Sequence, residues 1–362
     1  MVNAPARWFS RPAARAWTCP PAPPDVPAFH RTLPGYAPTP LVELPPLAAE
    51  LGVERVFVKD ESSRLGLPAF KILGASWGIY RALCDKYRLS DVPLSRLRAE
   101  LGPVRLITAT DGNHGRAVAA MARLLDLAAD VYVPYGVHPA AMAAIKAEGA
   151  ALTEVAGPYD EAVRVAADVA AADPSALLVQ DTAWPGYERV PQWIVEGYST
   201  LFTEIDEQVA AAGAAPVGMV AVPVGVGSLA QAAVTHYRSG SSKPTILAVE
   251  PDAAPCILAS LHQDKPLTVG TGPTTMAGLN CATPSTLAWP VLRSGLDAAV
   301  AVTDTDAAQA AQDLSALGVS SGPCGAASLA GTRTALTQRP AAHINTIVLL
   351  NTEGQAANPS LP

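Results

Sequence analysis

The stretch VRLITATDGNHGRAVAAMARLLDLAADVYVP, residues 104–134, decides the fold class of this chain. An apolar run ends in a loop with two glycines, an alanine-rich segment with helical spacing follows, and a second apolar run closes the stretch. A strand, a helix and another strand of these lengths indicate a right-handed βαβ unit with two parallel strands.

The same alternation continues on both sides of this stretch, which predicts an α/β protein with two parallel sheets. Residues 88–186 form one compact set of units and are predicted to be a small α/β domain. Residues 38–87 and 187–354 together are predicted to form a larger one. A single long helix is expected over about 190–212. Residues 1–37 are predicted to be an irregular, proline-rich arm, and residues 355–362 a C-terminal tail.

Composition narrows the possible functions. The 362 residues are 49% hydrophobic and 16% charged, with a net charge of −7 and no basic block. We therefore expect no nucleic-acid partner and no membrane partner. The five cysteines are an odd number without a C-x-x-C pair, and the six histidines lack ligand spacing, so no metal site is predicted. The N-terminus has no apolar signal segment, which favours the cytoplasm.

Three loops follow predicted strands, where parallel sheets place their ligands. They are TATDGNHG at 108–115, PVGVGSLA at 223–230 and LLNTEG at 349–354. The first two precede helices whose free N–H groups can bind an anion. Asp111 and His114 are not needed for a simple turn, so they favour a functional loop.

Two rival interpretations depend on short motifs. Residues 74–78 match G-x-S-x-G, the hydrolase nucleophile elbow, and His343 lies late in the chain as a hydrolase requires. Ser76 nevertheless falls inside a helical pattern rather than after a strand, so the match is predicted to be accidental. Residues 225–230 match G-x-G-x-x-A, and Glu250 ends the next strand, which keeps a dinucleotide-binding dehydrogenase open as a remote alternative.

Lys71 offers a third interpretation. It lies at the start of the helix after GLPAF, where it faces the predicted ligand crevice. A lysine together with a phosphate-binding loop is typical of pyridoxal phosphate chemistry.

Longer segments carry a specific resemblance. DESSRLGLPAFKILGAS, TATDGNHGRAVA, VQDTAWPGYERVPQWIVEGY, VGVGSLA, TTMAGLNCATPSTLAWPVL and NTEG occur in order over residues 36–354. They resemble the 2,3-diaminopropionate ammonia-lyase family, which belongs to the tryptophan-synthase-β-like (fold type II) pyridoxal phosphate enzymes. The resemblance implies two α/β domains with the cofactor in a cleft between them, and a homodimer that acts on a small amino acid.

The resemblance also assigns residues. It implies Lys71 as the Schiff-base lysine, and Asp111 and Asp181 as the other catalytic residues. The residues implied to contact pyridoxal 5′-phosphate are Lys71, Phe70, Asn113, Gly225, Val226, Gly227, Ser228, Asn351 and Thr352.

The chain departs from the family pattern at several positions. Pro68 stands where asparagine is usual, and Pro323-Cys324 replaces Glu-Ser. Asn351 replaces a serine that contacts the pyridine nitrogen, a contact that Thr352 could make instead. No second cysteine is evident for a family disulfide near Cys281.

The predicted reaction is the α,β-elimination of 2,3-diaminopropionate to pyruvate and two ammonia. A second ammonium on the substrate suits Asp111 and Asp181. The alternatives are a serine or threonine dehydratase and a β-replacement enzyme, because these would share the lysine and the glycine loop.

Overall fold

The computed structural model describes residues 7–90, 92–338 and 344–357. The strands in these residues are β1 Trp8–Ser10, β2 Leu41–Glu43, β3 Arg55–Asp60, β4 Arg105–Ala109, β5 Ala128–Pro134, β6 Ala151–Val155, β7 Ala176–Leu178, β8 Met219–Pro223, β9 Thr245–Pro251, β10 Ala298–Val302 and β11 Thr346–Asn351.

The α-helices lie between consecutive strands. They are α1 Val26–His30, α2 Pro45–Leu51, α3 Ile72–Tyr87, α4 Leu94–Glu100, α5 Asn113–Leu124, α6 Pro139–Ala147, α7 Tyr159–Ala172, α8 Arg189–Gly197, α9 Ser199–Ala211, α10 Ser228–Ser239, α11 Cys256–Gln263, α12 Ala288–Gly295, α13 Asp304–Ala316 and α14 Pro323–Gln338.

Two sheets organise these elements. The larger sheet has the order β1-β10-β9-β8-β11-β3-β2, and the smaller one has the order β6-β5-β4-β7. All pairs are parallel except the two edge pairs of the larger sheet, β1 with β10 and β2 with β3. This confirms the predicted α/β class with two parallel sheets. The exact boundaries of the two domains stay predictions.

The centre of the larger sheet is covered on both faces. Every residue of β8, β9, β10 and β11 is buried, as continuous apolar strands in parallel sheets usually are. Helix α14 packs across these four strands. The sequence prediction did not include α14 or β10, because alanine-rich segments buried on all sides carry no periodic signal.

The predicted long helix over 190–212 is wrong, since α8 and α9 are separate helices with Tyr198 between them. The N–H of Tyr198 donates to Val195 O, and the N–H of Leu201 donates to Tyr198 O. Such bonds between residues three apart tighten the chain locally and interrupt the α-helix.

The N-terminal arm is less irregular than predicted. Strand β1 extends the larger sheet, and Pro12–Ala16 forms a 3₁₀ helix. The Arg15 guanidinium then contacts the buried Asp297 carboxylate at 2.5 Å. Residues 1–6 lie outside the described part of the chain, as do residues 358–362 of the predicted tail.

A buried ion network fixes the loop that leads from β3 to α3. Glu204 on α9 accepts hydrogen bonds from Lys59 Nζ at 2.6 Å and from two nitrogens of Arg64 at 2.7 Å. Arg64 also donates to Glu61 at 2.6 Å, and all four side chains are buried. The loop that ends at Lys71 is therefore attached to the body of the larger domain.

In the described residues, no helix is both long enough and apolar enough to cross a membrane. No group of three or more histidine, cysteine, aspartate or glutamate side chains in those residues is arranged to hold a metal ion.

Candidate active site

A cleft lies where the carboxyl ends of strands from both sheets meet. Its empty space is about 950 Å³, the open mouth included. Most of the lining residues come from the segments after β3, β4, β7, β8 and β11, as expected for ligand sites of parallel sheets. They are Phe70, Lys71, Thr110, Asp111, Gly112, Asn113, His114, Tyr159, Asp181, Tyr198, Pro223, Val224, Gly225, Val226, Gly227, Ser228, Leu229, Ala277, Gly278, Leu279, Cys281, Cys324, Thr352, Glu353 and Ala357.

Lys71 immediately precedes α3 and points into this cleft. Its side chain is 23% exposed, and Nζ donates to Asp181 Oδ2 at 2.5 Å. Burial lowers the pKa of Lys71, but the charge of Asp181 outweighs burial, so the net shift of this pKa is upward. Lys71 is therefore an ammonium ion in this structure.

Asp111 and Asp181 have opposite pKa shifts. Burial raises the pKa of Asp181, but the positive charges of His114 and Lys71 hold this pKa at about 2. Burial also raises the pKa of Asp111, and the attraction of Lys71 offsets it only in part, which leaves this pKa at about 6. Two carboxyl groups whose pKa values diverge in one site are typical of proton-transfer pairs.

His114 is a neighbour of Asp181 in the cleft. Its Nε2 contacts the carbonyl oxygen of Val179 at 2.8 Å, and its Nδ1 lies 3.7 Å from Asp181 Oδ2. Burial lowers the pKa of His114. Because a carbonyl oxygen only accepts hydrogen bonds, Nε2 carries a proton and donates it to Val179 O. Nδ1 is buried and has no hydrogen-bond partner in the described structure.

The loop after β8 forms a cradle of backbone N–H groups. No side chain caps the N-terminus of α10, whose preceding residue Gly227 has φ +105°. A Cβ on Gly225 would lie 2.9 Å from Cys281 Sγ, so only glycine leaves this space open. Ser228 Oγ donates to the carbonyl oxygen of Asp181 at 3.0 Å. An uncapped helix N-terminus with this approach is suited to a phosphate.

A second helix N-terminus enters the cleft from the smaller sheet. Asn113 begins α5, and its Nδ2 donates to Glu353 Oε2 at 2.7 Å. Glu353 Oε1 accepts from the N–H of Cys324 at 3.3 Å. Glu353 thus connects α5 with the turn after β11 and the start of α14.

Asn351 does not line the cleft. It is fully buried, and its Nδ2 donates to Asp60 Oδ1 and to Ser320 O, both at 2.8 Å. Its Oδ1 accepts from Ser321 Oγ at 2.7 Å. The predicted contact of Asn351 with a cofactor therefore has no support in this geometry, because all its polar atoms are occupied. The neighbouring Thr352 does line the cleft.

The other departures from the family pattern also have definite positions. The carbonyl oxygen of Pro68 accepts from the N–H of Gly354 at 2.9 Å, which ties the lysine loop to the turn after β11. Cys324 begins α14 beside Glu353 and lines the cleft. Cys281 and the other four cysteines are free thiols.

The nucleophile-elbow interpretation is wrong. Ser76 is fully buried within α3, and its Oγ donates to the carbonyl oxygen of Leu73 at 3.1 Å. The motif glycines serve helix packing, since a Cβ on Gly78 would lie 2.7 Å from Ile194 Cγ1. His343 lies outside the described residues.

Glu250 cannot bind a ribose in this structure. It is fully buried, and its two carboxylate oxygens accept the N–H groups of Ile257 at 2.8 Å and Leu258 at 2.7 Å. These contacts cap α11. Glu250 is therefore not available as the acidic residue that binds the ribose in a dinucleotide site.

Comparison with known proteins agrees with this cleft. The family model "Pyridoxal-phosphate dependent enzyme" matches residues 32–353. The chain belongs to the pyridoxal-phosphate dependent enzyme family.

Within this family, the chain is similar to diaminopropionate ammonia-lyases. It is 38% identical to that of Salmonella typhimurium over 79% of this chain and 73% of the relative. It is 39% identical to that of Escherichia coli K12 over 74% of this chain and 68% of the relative. The crystal structure of the Escherichia coli enzyme in complex with D-serine superposes with a TM-score of 0.88 at 32% identity, over 96% and 94% of the two chains.

The residues present fit pyridoxal phosphate, the cofactor of this family. Lys71 would supply an amine for its aldehyde, and the uncapped N-terminus of α10 would supply N–H groups for its phosphate. Beside the cleft residue Cys281, the missing side chain of Gly225 leaves space for close approach.

The sequence prediction missed several residues of this pyridoxal-phosphate enzyme's cleft. Glu353 lay in the quoted NTEG turn, and Tyr159 starts the helix after β6, so position after a strand could have indicated both. Tyr198 lies between two helices, where no local signal marks it. Cys281 belongs to a quoted segment without strand or helix periodicity.

Proposed function

We propose that this enzyme converts 2,3-diaminopropionate and one water into pyruvate and two ammonia by α,β-elimination. The observation that carries the proposal is a pair of carboxyl groups with opposite pKa shifts, Asp111 and Asp181, around a single lysine. Lys71 is the one Lys or Arg side chain among the described residues that line the cleft, so a substrate with two ammonium groups suits this acidic lining.

Lys71 is the residue proposed to bind the cofactor's aldehyde. Its ammonium must first lose a proton, and Asp181 at 2.5 Å is the adjacent acceptor. The N-terminus of α10 is proposed to bind the phosphate, and Thr352 to contact the ring nitrogen. When bound, pyridoxal phosphate stabilises negative charge at the substrate Cα.

The N-terminus of α5 is proposed to bind the α-carboxylate of the substrate. Helix N-termini attract anions, and the two that enter the cleft match the two anionic groups, phosphate and carboxylate. Asn113 is held there by Glu353 at 2.7 Å, which fixes this end of α5 beside Lys71.

The two carboxylates are proposed to act on the two enantiomers. Asp181, with a pKa of about 2, stays ionised, and its position 2.5 Å from Lys71 Nζ is the reason to propose it as the proton acceptor for one enantiomer. Asp111, with a pKa of about 6, exchanges protons near neutral pH. It is therefore suited to take the α-proton of the opposite enantiomer, or to protonate the departing β-amine.

An assay of pyruvate and ammonia across D- and L-2,3-diaminopropionate, serine and threonine tests the proposal. We expect two ammonia per pyruvate from diaminopropionate, and a higher kcat/KM than for either hydroxyamino acid. Serine as the better substrate would show a dehydratase instead. Lys71→Ala should abolish turnover and remove the visible absorption of the bound cofactor. If that absorption survives, Lys71 is not the attachment site.

We further propose that the enzyme works in the cytoplasm and that it is a homodimer, as its resemblance to the ammonia-lyases implies for its assembly. The chain mass is 37.3 kDa. Light scattering on the purified protein should therefore give about twice that mass, and the monomer mass would contradict the proposal.

A further inference from the structure

Gln180, the residue before Asp181, has a fully buried side chain that the proposed mechanism does not use. At the end of β4, its Oε1 accepts from the N–H of Ala109 at 2.9 Å and from Thr108 Oγ1 at 3.2 Å. Its Nε2 donates to the hydroxyl oxygen of Tyr159, the first residue of α7, at 2.8 Å. One side chain thus joins the strand that leads into α5 with the start of α7.

These contacts leave a single orientation for the Gln180 amide. A backbone N–H only donates, so the atom that contacts the N–H of Ala109 is the amide oxygen. The atom that contacts Tyr159 is then the amide nitrogen, which makes the hydroxyl oxygen of Tyr159 an acceptor. The proton of this hydroxyl is therefore left for another acceptor.

None of the described residues accepts the hydroxyl proton of Tyr159. Tyr159 lines the cleft together with Asp111 and Asp181. Burial raises the pKa of Tyr159, so the hydroxyl keeps its proton at neutral pH. A donor that stays unpaired when a ligand covers it costs affinity, so the ligand group at this place should be an acceptor. An ammonium group, which only donates, cannot take this proton.

The α-carboxylate is the acceptor that every amino-acid substrate carries. The N-terminus of α5, proposed above to bind it, begins at Asn113, shortly after Ala109. Gln180 holds this segment and Tyr159 together. We propose that Gln180 is a positioning residue that keeps the Tyr159 hydroxyl as a donor, and that this hydroxyl donates to the α-carboxylate of the substrate. The inference deepens the proposed function and rests on the cleft binding an amino acid.

The binding of alanine and of ethylamine to the cofactor-loaded enzyme tests the ligand contact. Alanine carries the α-carboxylate but no leaving group, so it binds without elimination, and ethylamine is the same amine without the carboxylate. Each dissociation constant is measured from the change in the visible absorption of the cofactor. Tyr159→Phe should weaken alanine binding about 10-fold or more and leave ethylamine binding within about twofold of wild type.

A double-variant cycle tests the role of Gln180. Gln180→Met removes the amide donor, so the Tyr159 hydroxyl can turn away from the ligand, and alanine should bind about 5-fold or more weakly. In the Tyr159→Phe background, the same change should alter alanine affinity by no more than about twofold. This difference separates an effect through Tyr159 from a direct effect on the Ala109 segment.

Gln180→Glu supplies a second measurement if Gln180→Met folds poorly. It keeps an oxygen for the N–H of Ala109 but has no amide donor. At about pH 9, well above the usual pKa of a glutamate, the introduced carboxylate accepts the Tyr159 proton and withdraws it from the ligand. Alanine should then bind about 10-fold or more weakly, with ethylamine within about twofold of wild type.

Tyr187→Phe is the matched control. The Tyr187 hydroxyl accepts from the N–H of Gln180 at 2.9 Å and donates to Leu178 O at 3.0 Å, and Tyr187 does not line the cleft. Its oxygen and its proton are thus both used inside the protein. The variant should lower thermal stability, while both affinities stay within about twofold of wild type.

Four results would overturn the proposal. Unchanged alanine affinity in Tyr159→Phe would show that the hydroxyl does not contact the carboxylate. Equal weakening of alanine and ethylamine would place its contact on the amine or the cofactor. An undiminished effect of Gln180→Met in the Tyr159→Phe background would show that Gln180 acts on the Ala109 segment alone. Equal weakening by Tyr187→Phe would show a packing effect.

These outcomes are distinct from a failure of the proposed function. A preference for serine over diaminopropionate would contradict the proposed substrate. It would leave the expected alanine and ethylamine affinities unaffected, because both substrates carry the same α-carboxylate.

Discussion

Asp111 and Asp181 show how position within one cleft separates two identical side chains. Both are removed from water, which raises the pKa of a carboxyl group. Asp181 contacts the Lys71 ammonium directly at 2.5 Å, so attraction outweighs burial there. Asp111 is repelled by Asp181 and Glu353. Burial alone would raise the pKa of both carboxyl groups, and the nearby His114 and Lys71 lower that of Asp181 enough to separate the two.

This difference predicts a pH dependence at the residue scale. The pKa of Asp111 is raised to about 6, so its ionised form is lost as pH falls through that value. The enantiomer whose turnover needs ionised Asp111 should lose about tenfold in rate per pH unit below this point. The enantiomer that depends on Asp181, with a pKa of about 2, should keep its rate.

Rates on both enantiomers from about pH 5 to pH 8 test this prediction, with two variants that assign the enantiomers. Asp111→Asn and Asp181→Asn should each lower the rate on at least one enantiomer by about 10²–10⁴-fold. Identical pH profiles for both enantiomers would show that the two carboxylates do not divide the work.

At the scale of elements, the turn from β8 into α10 combines two requirements. Its backbone must bend through the left-handed region at Gly227, with φ +105°. It must also leave the N-terminus of α10 open to the cleft. A Cβ on Gly227 would lie 2.8 Å from Leu292 Cδ1, so the missing side chain also allows α12 to pack closely here.

Gly227→Asp should therefore weaken pyridoxal phosphate binding by about 10-fold or more, because its carboxylate repels the phosphate. Its stability should also fall, since the left-handed backbone costs an L-residue about 1–2 kcal/mol. Gly213→Asp is the matched control, with φ +65° and no atom within 4 Å of its Cβ. It should lower stability alone. An equilibrium titration that finds equal cofactor affinity for both variants would place the phosphate elsewhere.

At the scale of the whole molecule, a buried ion network connects the arm, the larger sheet and the lysine loop. Tyr36 in the arm donates to Glu204 at 2.7 Å, as do Lys59 and Arg64 from the sheet and loop. The exposed fractions of the Lys59, Arg64 and Glu204 side chains are 0–3%. Because these side chains are buried away from water, each charge is stabilised mainly by the opposite charges around it.

Glu204→Gln should lower the free energy of unfolding by about 3–5 kcal/mol, because it takes away the carboxylate that the buried Lys59 ammonium contacts and leaves Arg64 with Glu61 alone. Urea unfolding of the cofactor-loaded enzyme measures this change. Glu43→Gln, which breaks the surface pair with Arg55, should have a much smaller effect. Equal destabilisation by the two changes would show that burial does not strengthen the Glu204 contacts.

The sequence by itself determined the alternation of strands and helices. Apolar strands such as 245–251 and amphipathic helices such as 159–172 carry their pattern locally, so their type followed from periodicity. It also indicated Lys71 and the loops at 108–115 and 223–230, because glycine and charged residues at strand ends are visible in a single stretch.

Only the tertiary structure decided which of these groups meet. Asp181 lies 110 residues from Lys71, and Asn113 lies 240 residues from Glu353, yet each pair is in hydrogen-bond contact. It also placed Asn351 outside the cleft and Tyr198 inside it. The physical reason is that pKa shifts and contacts depend on burial and on neighbours brought together by chain crossovers, which local sequence does not encode.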